Sequence, residues 1–355
     1  MCVIEKGLIL RSGLALLLLA TPSIGQSEEL AQKEEPAVQL RAELVLVPVQ
    51  VLDRKGRPVG GLLKEDFVLF EDGVPQQISF FGHDEIPLSV LLLIETFHRP
   101  EIWHFEEISK AAHAILSRLG PEDQVALMKF DGQPSLIQEF TGDKSVVLQR
   151  LEQLVEGPLE NEEDGLYVGS LLYTATTEAA RYVLEATERK RRRAIIVFTY
   201  NIGEALPPRP FTGDPEVASK RRMEREELER RLLQLLYRSD IVVCGVIIGY
   251  ARMRFLWGLM VRNEAKVDKL VKVTGGWMIT AKPQRPVKVD QIAQLIDNLR
   301  AQYVLGYVPA NAARDGKFRK IKIELSPAAK KKYKDVQLRY RQGYIAAGGR
   351  EGEPK

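Results

Sequence analysis

The stretch SVLLLIETFHRP, Ser89 to Pro100, is the strongest indicator of the fold class of this chain. Its first half is an apolar run, Val90 to Ile94, which predicts a β-strand buried on both faces. Its second half changes abruptly to charged, polar and aromatic residues, Glu95 to Arg99. In an open α/β sheet, ligands bind just beyond the carboxyl ends of the strands. The stretch therefore predicts a strand that leads directly into a candidate site.

Strands and helices alternate on the carboxyl side of this stretch. Further apolar strands are predicted at Ala194 to Tyr200 and Ile241 to Gly249, and several intervening segments have helical spacing. Strands that are apolar on both faces and separated by helices are typical of a parallel sheet covered by helices on both sides. We therefore predict an α/β fold with a doubly wound, mostly parallel sheet, and we assign this domain to residues 86–301.

The segments on either side of this domain have β-strand patterns. In the N-terminal segment, Asp66 to Phe81 contains two apolar runs around Asp72-Gly73, a hairpin signal. The C-terminal segment contains FRKIKIELS and VQLRYRQGYIA. We expect residues 38–85 and 302–346 to pack together as one small β-rich module beside the α/β domain, built on a single sheet.

The N-terminus has the three-part pattern of a secretory signal peptide. Lys6 and Arg11 precede the apolar run Gly13 to Ala20, and small residues follow at Ser23 to Gly25. A helix that spans a bilayer needs about 20 apolar residues, more than this run provides. We therefore predict a signal peptide at residues 1–25 in preference to a membrane anchor. The mature protein is expected to be exported, either to the periplasm or out of the cell.

Composition adds two constraints on the mature protein. The formal net charge of +3 is too small to imply a nucleic-acid partner. Removing the signal peptide leaves one cysteine, Cys244, so no internal disulfide is expected. The polar, acidic residues 26–37 predict a disordered leader, and residues 347–355 a disordered tail. No further membrane span is expected after the signal peptide.

Three segments carry a resemblance to a known family: VLDRKGRPVGGLLKEDFVLFEDGVPQQISFF, PLSVLLLIE and LRAQYVLGYVPANAARDGKFRKIKIEL. The order of elements resembles a von Willebrand factor type A domain. Over about residues 40–346 the chain is similar to the exported VWFA-related proteins found in Acidobacteria. Such domains typically bind another protein. The resemblance therefore implies an interaction module with an unknown protein partner, and not an enzyme.

Many type A domains bind a divalent cation in a metal-ion-dependent adhesion site. Its ligands are the aspartate and two serines of Asp-x-Ser-x-Ser, a threonine, and a second aspartate. The resemblance places Glu95, Phe97 and Arg99 at the first three positions. It places Ser170 at the threonine and Tyr200 at the second aspartate. Phe97 offers no ligand atom and Arg99 would repel a cation, so we predict a degenerate site without Mg²⁺ or any other cofactor.

This position has two open interpretations. Phe97, His98, Arg99 and Tyr200 could form a metal-free recognition surface, because aromatic residues and arginine are enriched at interface hot spots. Alternatively, the site has decayed and has no partner. The sequence leaves both open.

The remaining motifs do not indicate a particular activity. The sequence contains no HExxH, P-loop, G-x-G-x-x-G or G-x-S-x-G motif, so no enzyme class and no small-molecule substrate is indicated. The basic run Glu188 to Arg193 is expected to be a solvated helix end, or else a site that binds an acidic surface or anionic lipid. Ser219 to Arg231 predicts an exposed helix with many ion pairs. Lys330 to Lys334 predicts a hairpin loop.

Two alternative functions remain: a structural or assembly component of the cell envelope that uses the β module as its main contact, and an enzyme with an unrecognised site.

Overall fold

The computed structural model describes residues 44–83, 86–96, 105–130, 133–156, 171–199, 215–247, 267–280 and 288–348. These residues belong to one compact unit. The predicted signal peptide and leader lie outside the described residues, as does most of the predicted tail. Within the described part of the chain, no helix is both long and apolar enough to cross a bilayer.

Strands and helices alternate through the middle of the chain, and strands predominate towards its two ends. The strands are β1 (Val45–Leu52), β2 (Phe67–Glu71), β3 (Val74–Gln76), β4 (Ile78–Gly82), β5 (Leu88–Glu95), β6 (Gln124–Phe130), β7 (Pro134–Thr141), β8 (Arg192–Thr199), β9 (Val242–Ile247), β10 (Met278–Thr280), β11 (Tyr303–Tyr307), β12 (Phe318–Leu325), β13 (Gln337–Tyr340) and β14 (Gly343–Ile345). The helices are α1 (Phe105–Leu116), α2 (Lys144–Glu156), α3 (Leu172–Ala186), α4 (Pro215–Arg238), α5 (Val267–Thr274), α6 (Val289–Arg300) and α7 (Pro327–Lys332).

The central layer is a six-stranded sheet with the order β10-β9-β8-β5-β6-β7. All neighbouring strands in it are parallel except β6 and β7. Every residue of β5, β8 and β9 is buried, which explains why these strands are apolar on both faces. The strand order reverses beside β5, which pairs with β6 on one side and with β8 on the other. This arrangement is a topological switch point, the usual ligand position in such sheets.

Helices cover both faces of this sheet, as the sequence predicts. On one face, α1, α2 and α6 pack against the side chains of alternate strand residues, including Leu92 and Ile196. On the other face, α3, α4 and α5 pack against the remaining set, including Leu91 and Ile195. Because successive strand residues point to opposite faces, each strand contributes to both cores. The prediction of a doubly wound α/β domain is confirmed.

The flanking segments form the β-rich module, but with two sheets and not one. One sheet has the order β13-β1-β11-β4 and the other β14-β12-β2-β3. The chain leaves the predicted hairpin at Gln77, so β3 pairs with β2 while β4 pairs with β11 in the other sheet. Buried side chains of both sheets, such as Val49 and Ile323, share one apolar core. The two sheets pack face to face, and the apolar side chains on the inner face of each are buried against the other. A single sheet would leave such a face exposed to solvent.

The predicted ion-pair helix agrees with the structure. The hairpin loop predicted at Lys330 to Lys334 is wrong, and the exposure predicted for Glu188 to Arg193 holds for Glu188 to Lys190 but not for Arg192 and Arg193. Glu227 in α4 pairs with two arginines in adjacent turns, at 2.7 and 2.6 Å. Lys330 to Lys334 is not a hairpin loop, because α7 includes its first half. Arg192 and Arg193 are not solvated, because they begin β8 and are only 7% and 5% exposed.

Hydrogen bonds explain why these two arginines can be buried. Arg192 donates to the carbonyl oxygens of Leu299 and Arg300 at 2.6 and 2.9 Å, where α6 ends. Burial and the nearby Arg300 lower the pKa of Arg192 to about 10, which leaves it charged near neutral pH. Arg193 donates to Thr187 and pairs with Asp240 at 2.9 Å. The basic run therefore holds α6 and the neighbouring loops against the sheet.

Acid is expected to destabilise the protein through Asp123. This buried carboxylate accepts hydrogen bonds from the backbone N–H groups of Leu88 and Gly120 and from Arg300. Burial alone would raise its pKa, but these bonds outweigh burial and the pKa of Asp123 lies below its ordinary value. The resulting stability is present above the ordinary pKa and is lost as pH falls through the lowered one.

Urea unfolding midpoints measured from neutral to acid pH provide the test. The midpoint should fall on the acid side in the wild type, and this slope should flatten in Asp123→Asn. The exposed Asp290 supplies a control, since Asp290→Asn should keep the wild-type slope. An Asp123→Asn variant with an unchanged slope would contradict the expectation.

Candidate functional site

The candidate site lies at the carboxyl edge of the parallel sheet. Of the residues predicted for it, the structure describes Glu95, the last residue of β5. Phe97, Arg99, Ser170 and Tyr200 lie outside the described residues. His98 does so as well. Their predicted roles therefore stay predictions.

Glu95 is a buried carboxylate held between two parallel strands. Glu95 is only 2% exposed, and Thr199 at the end of β8 is fully buried. The Thr199 hydroxyl donates a hydrogen bond to Oε2 of Glu95 at 2.5 Å. On the other side, Glu95 pairs in register with Phe130, whose carbonyl oxygen accepts a hydrogen bond from the Thr96 N–H at 2.9 Å. The carboxylate thus ties the ends of β5 and β8 together within the protein.

The residue types at this edge do not fit a magnesium site. Mg²⁺ requires near-octahedral oxygen ligation, usually by one or two carboxylates together with several waters. Glu95 is buried and already accepts a hydrogen bond from Thr199. The other positions that the resemblance assigns include Phe97, Arg99 and Tyr200, which are not oxygen ligands of this kind. Among the described residues, no three His, Cys, Asp or Glu side chains lie close enough together to hold a metal.

Thr199 was not predicted from the sequence as a residue of this site. It ends the apolar strand immediately before Tyr200, the residue aligned with the second aspartate. Because adjacent parallel strands end at the same edge, a polar residue at the end of β8 was a candidate partner for Glu95. The register agrees with this placement, since Ile94 pairs with Phe198.

Other titratable groups considered from the sequence have structural roles where they are described. Cys244 is buried in β9, and burial raises the pKa of its thiol to about 11, which keeps it protonated. The His83 ring packs edge-on against Tyr303 with ring centroids 4.7 Å apart. Nδ1 of His113 lies 2.9 Å from the carbonyl oxygen of Ser109. His104 lies outside the described residues.

Residues 101–201 match the family model of the von Willebrand factor type A domain. This segment extends from just before α1 to just beyond β8, and it includes Ser170 and Tyr200. The chain therefore contains a von Willebrand factor type A domain, as its resemblance implies. A comparison with curated proteins found no match.

Several solved structures are similar to this chain at low identity. The conserved hypothetical protein BatB of Bacteroides thetaiotaomicron is 14% identical with a TM-score of 0.38, covering 60% of this chain and 98% of that one. The vWF domain of the type V pili tip protein Mfa5 of Porphyromonas gingivalis is 13% identical with a TM-score of 0.37, covering 60% and 96%. Manganese-loaded TRAP protein of Plasmodium vivax is 13% identical with a TM-score of 0.37, covering 78% and 98%. At these scores the likenesses say nothing about the function of this chain.

Proposed function

We propose that the chain is an exported protein–protein interaction module whose adhesion site is degenerate and free of metal. The observation that carries this proposal is the burial of Glu95 against Thr199 at the switch point of a type A domain. The positions beyond it carry Phe97, Arg99 and Tyr200, which replace the serine and aspartate ligands of the family. Export is supported by the signal-peptide pattern at residues 1–25. The division into residues 38–85, 86–301 and 302–346 is part of the same proposal.

The chemistry beyond Glu95 supports recognition without a cation. Phe97, Arg99 and Tyr200 are residue types that contribute strongly to protein interfaces. Arg99 supplies a positive charge at a position where a metal-dependent domain would supply a hydroxyl ligand. A partner's carboxylate could meet this arginine directly in place of a bound cation. The interaction surface at this edge would then comprise Phe97, His98, Arg99 and Tyr200.

Calorimetric titration of residues 26–355 with Mg²⁺ and Mn²⁺ tests the absence of metal. We expect no binding heat and identical thermal melts with and without EDTA. A Glu95→Asp, Phe97→Ser, Arg99→Ser, Tyr200→Asp variant restores the ligand types of the family and serves as the comparison. Binding heat in the wild type, together with a shift in melting temperature that EDTA abolishes, would contradict the proposal of a metal-free site.

Affinity capture with the same mature protein tests the interaction itself. A specific partner should be recovered equally in Mg²⁺ and in EDTA. Recovery that requires Mg²⁺ contradicts metal independence, and the failure to recover any partner contradicts an interaction role. Capture that maps to the β module and survives deletion of the α/β domain would favour an envelope component that uses the β module as its main contact.

A further inference from the structure

A cleft of about 640 Å³ lies where the α/β domain meets the β module. Tyr237 and the pair Gly275-Gly276 form one wall, and residues of β12 and β13 form the other. Tyr237 precedes β9 and Gly276 precedes β10, so the cleft lies at the amino-terminal edge of the parallel sheet. Glu95 ends β5 at the opposite, carboxyl edge. The cleft is therefore a separate site from the degenerate adhesion site.

Positive charge dominates the lining of this cleft. Four of its residues are basic, and none is acidic: Lys272, Lys320, Lys322 and Arg339. Lys322 pairs with Glu324 at 2.6 Å, which lies outside the lining. Lys272 and Lys320 are exposed, and no ion pair to either is found among the described residues. The chain as a whole carries a formal charge of only +3, so this basic cleft is a local feature.

Arg339 is the fixed cation of the cleft. Its guanidinium lies over the Trp277 ring, 4.2 Å from the centroid, and donates to the carbonyl oxygen of Gly276 at 3.0 Å. Its Nε is buried without a hydrogen-bond partner among the described residues. Burial lowers the pKa of Arg339, since removal from water disfavours the charged form. An incoming carboxylate would favour the charged form of this guanidinium through a charge-assisted hydrogen bond.

Aromatic side chains complete the lining on one side. Phe318 is 44% exposed, and its ring meets Tyr237 edge to face with centroids 4.7 Å apart. Phe318 lies directly over Gly343, where an added Cβ would be 2.3 Å from the ring. The Phe318 ring is therefore held in place while one side remains open to solvent. β13 is an edge strand of its sheet and contributes Leu338, Arg339 and Tyr340 to the cleft.

We propose that this cleft binds an acidic, extended segment of a partner protein. Carboxylates of the segment would meet Lys272, Lys320 and Arg339, and an apolar side chain between them would pack on Phe318. The combination of cations, an exposed aromatic ring and an edge strand suits a peptide, because an extended peptide can supply acidic and apolar groups in alternation. The volume lies within the range of ligand sites, about 300–1,000 Å³. This inference rests on the proposed interaction function and assigns it a site.

Fluorescence anisotropy with the mature protein tests this inference. The probe is a fluorescein-labelled peptide that alternates glutamate with valine, and the matched peptide has glutamine in place of glutamate. We expect the glutamate peptide to bind and the glutamine peptide to bind at least about tenfold more weakly. A Lys272→Glu, Lys320→Glu double variant should weaken binding of the glutamate peptide about tenfold or more.

A charge-matched control separates the cleft from general electrostatics. Lys331 and Lys334 are exposed lysines outside the lining, so Lys331→Glu, Lys334→Glu makes the same change in net charge. This control should bind as the wild type does, and thermal melts verify that both variants fold. Phe318→Ala should also weaken binding without any change in charge.

Three results would overturn the cleft as the site: no binding of the glutamate peptide, equal binding of the glutamine peptide, or equal loss in both double variants. Preferential binding of heparin or of anionic vesicles would assign the cleft to another class of ligand and overturn the peptide proposal. A partner captured from the wild type and retained by Lys272→Glu, Lys320→Glu would leave the proposed function standing and exclude only the cleft.

Discussion

Replacing Gly275 with alanine is expected to lower the free energy of unfolding by more than about 3 kcal/mol. Gly275 has a φ of +76°, in the left-handed region that costs a side chain about 1–2 kcal/mol. An added Cβ would also lie 2.4 Å from the carbonyl carbon and 2.7 Å from the Cα of Tyr340. These contacts are backbone atoms of β13, which cannot rotate away as a side chain can. The α/β domain and the β module meet at this glycine, so the clash would force them apart.

Chemical denaturation with circular dichroism measures this effect. Gly60 supplies the matched control, because it has no positive φ and an added Cβ there meets nothing within 4 Å. Gly60→Ala should change stability by no more than about 0.5 kcal/mol. If Gly275→Ala is as stable as Gly60→Ala, the close packing of β13 against Gly275 is wrong.

Replacing Glu71 with alanine is expected to lower the free energy of unfolding by about 3 kcal/mol. Glu71 is 2% exposed at the end of β2, and its Oε2 accepts hydrogen bonds from Tyr307 at 2.7 Å and Tyr344 at 2.8 Å. The two tyrosines come from β11 and β14, which belong to different sheets of the β module. Removing the carboxylate would leave a buried and a partly buried hydroxyl without this acceptor, and each would lose a charge-assisted bond.

Urea unfolding of three variants measures this effect. Tyr344→Phe removes one of the two bonds and should cost less than Glu71→Ala. Glu185 lies exposed on α3, so Glu185→Ala is the control and should stay within about 0.5 kcal/mol of the wild type. A Glu71→Ala variant as stable as this control would show that the two sheets do not depend on this carboxylate.

The class of the fold follows from local signals in the sequence. Val90 to Ile94 and Ala194 to Phe198 are apolar without alternation, and a strand with no polar face must be covered on both sides. Asp72-Gly73 likewise predicted its hairpin, because both residues need a positive φ there, and they have 49° and 86°. Each of these signals depends on a few consecutive residues and on steric rules that hold in any protein.

The number of sheets in the β module could not be predicted in this way. The break at Gln77 is one residue long, and no local pattern distinguishes a strand that continues from one that crosses to a second sheet. β3 pairs with its hairpin neighbour β2, whereas β4 pairs with β11, a strand far away in the sequence. Strand pairing at long range is a tertiary property.

The burial of polar residues likewise depends on tertiary contacts. Arg192 and Arg193 stand in a run of charges that predicts exposure, yet the end of α6 and Asp240 bring acceptors to them from distant parts of the chain. Tertiary contacts likewise bring Thr199 within hydrogen-bond distance of Glu95, and they place Lys272, Lys320 and Arg339 in one cleft. A charged group can be buried or clustered only where partners or solvent compensate it. Those partners are set by how the chain folds back on itself. The position of Thr199 at a strand end made it a candidate for Glu95, but no local pattern indicates which basic residues gather in the cleft.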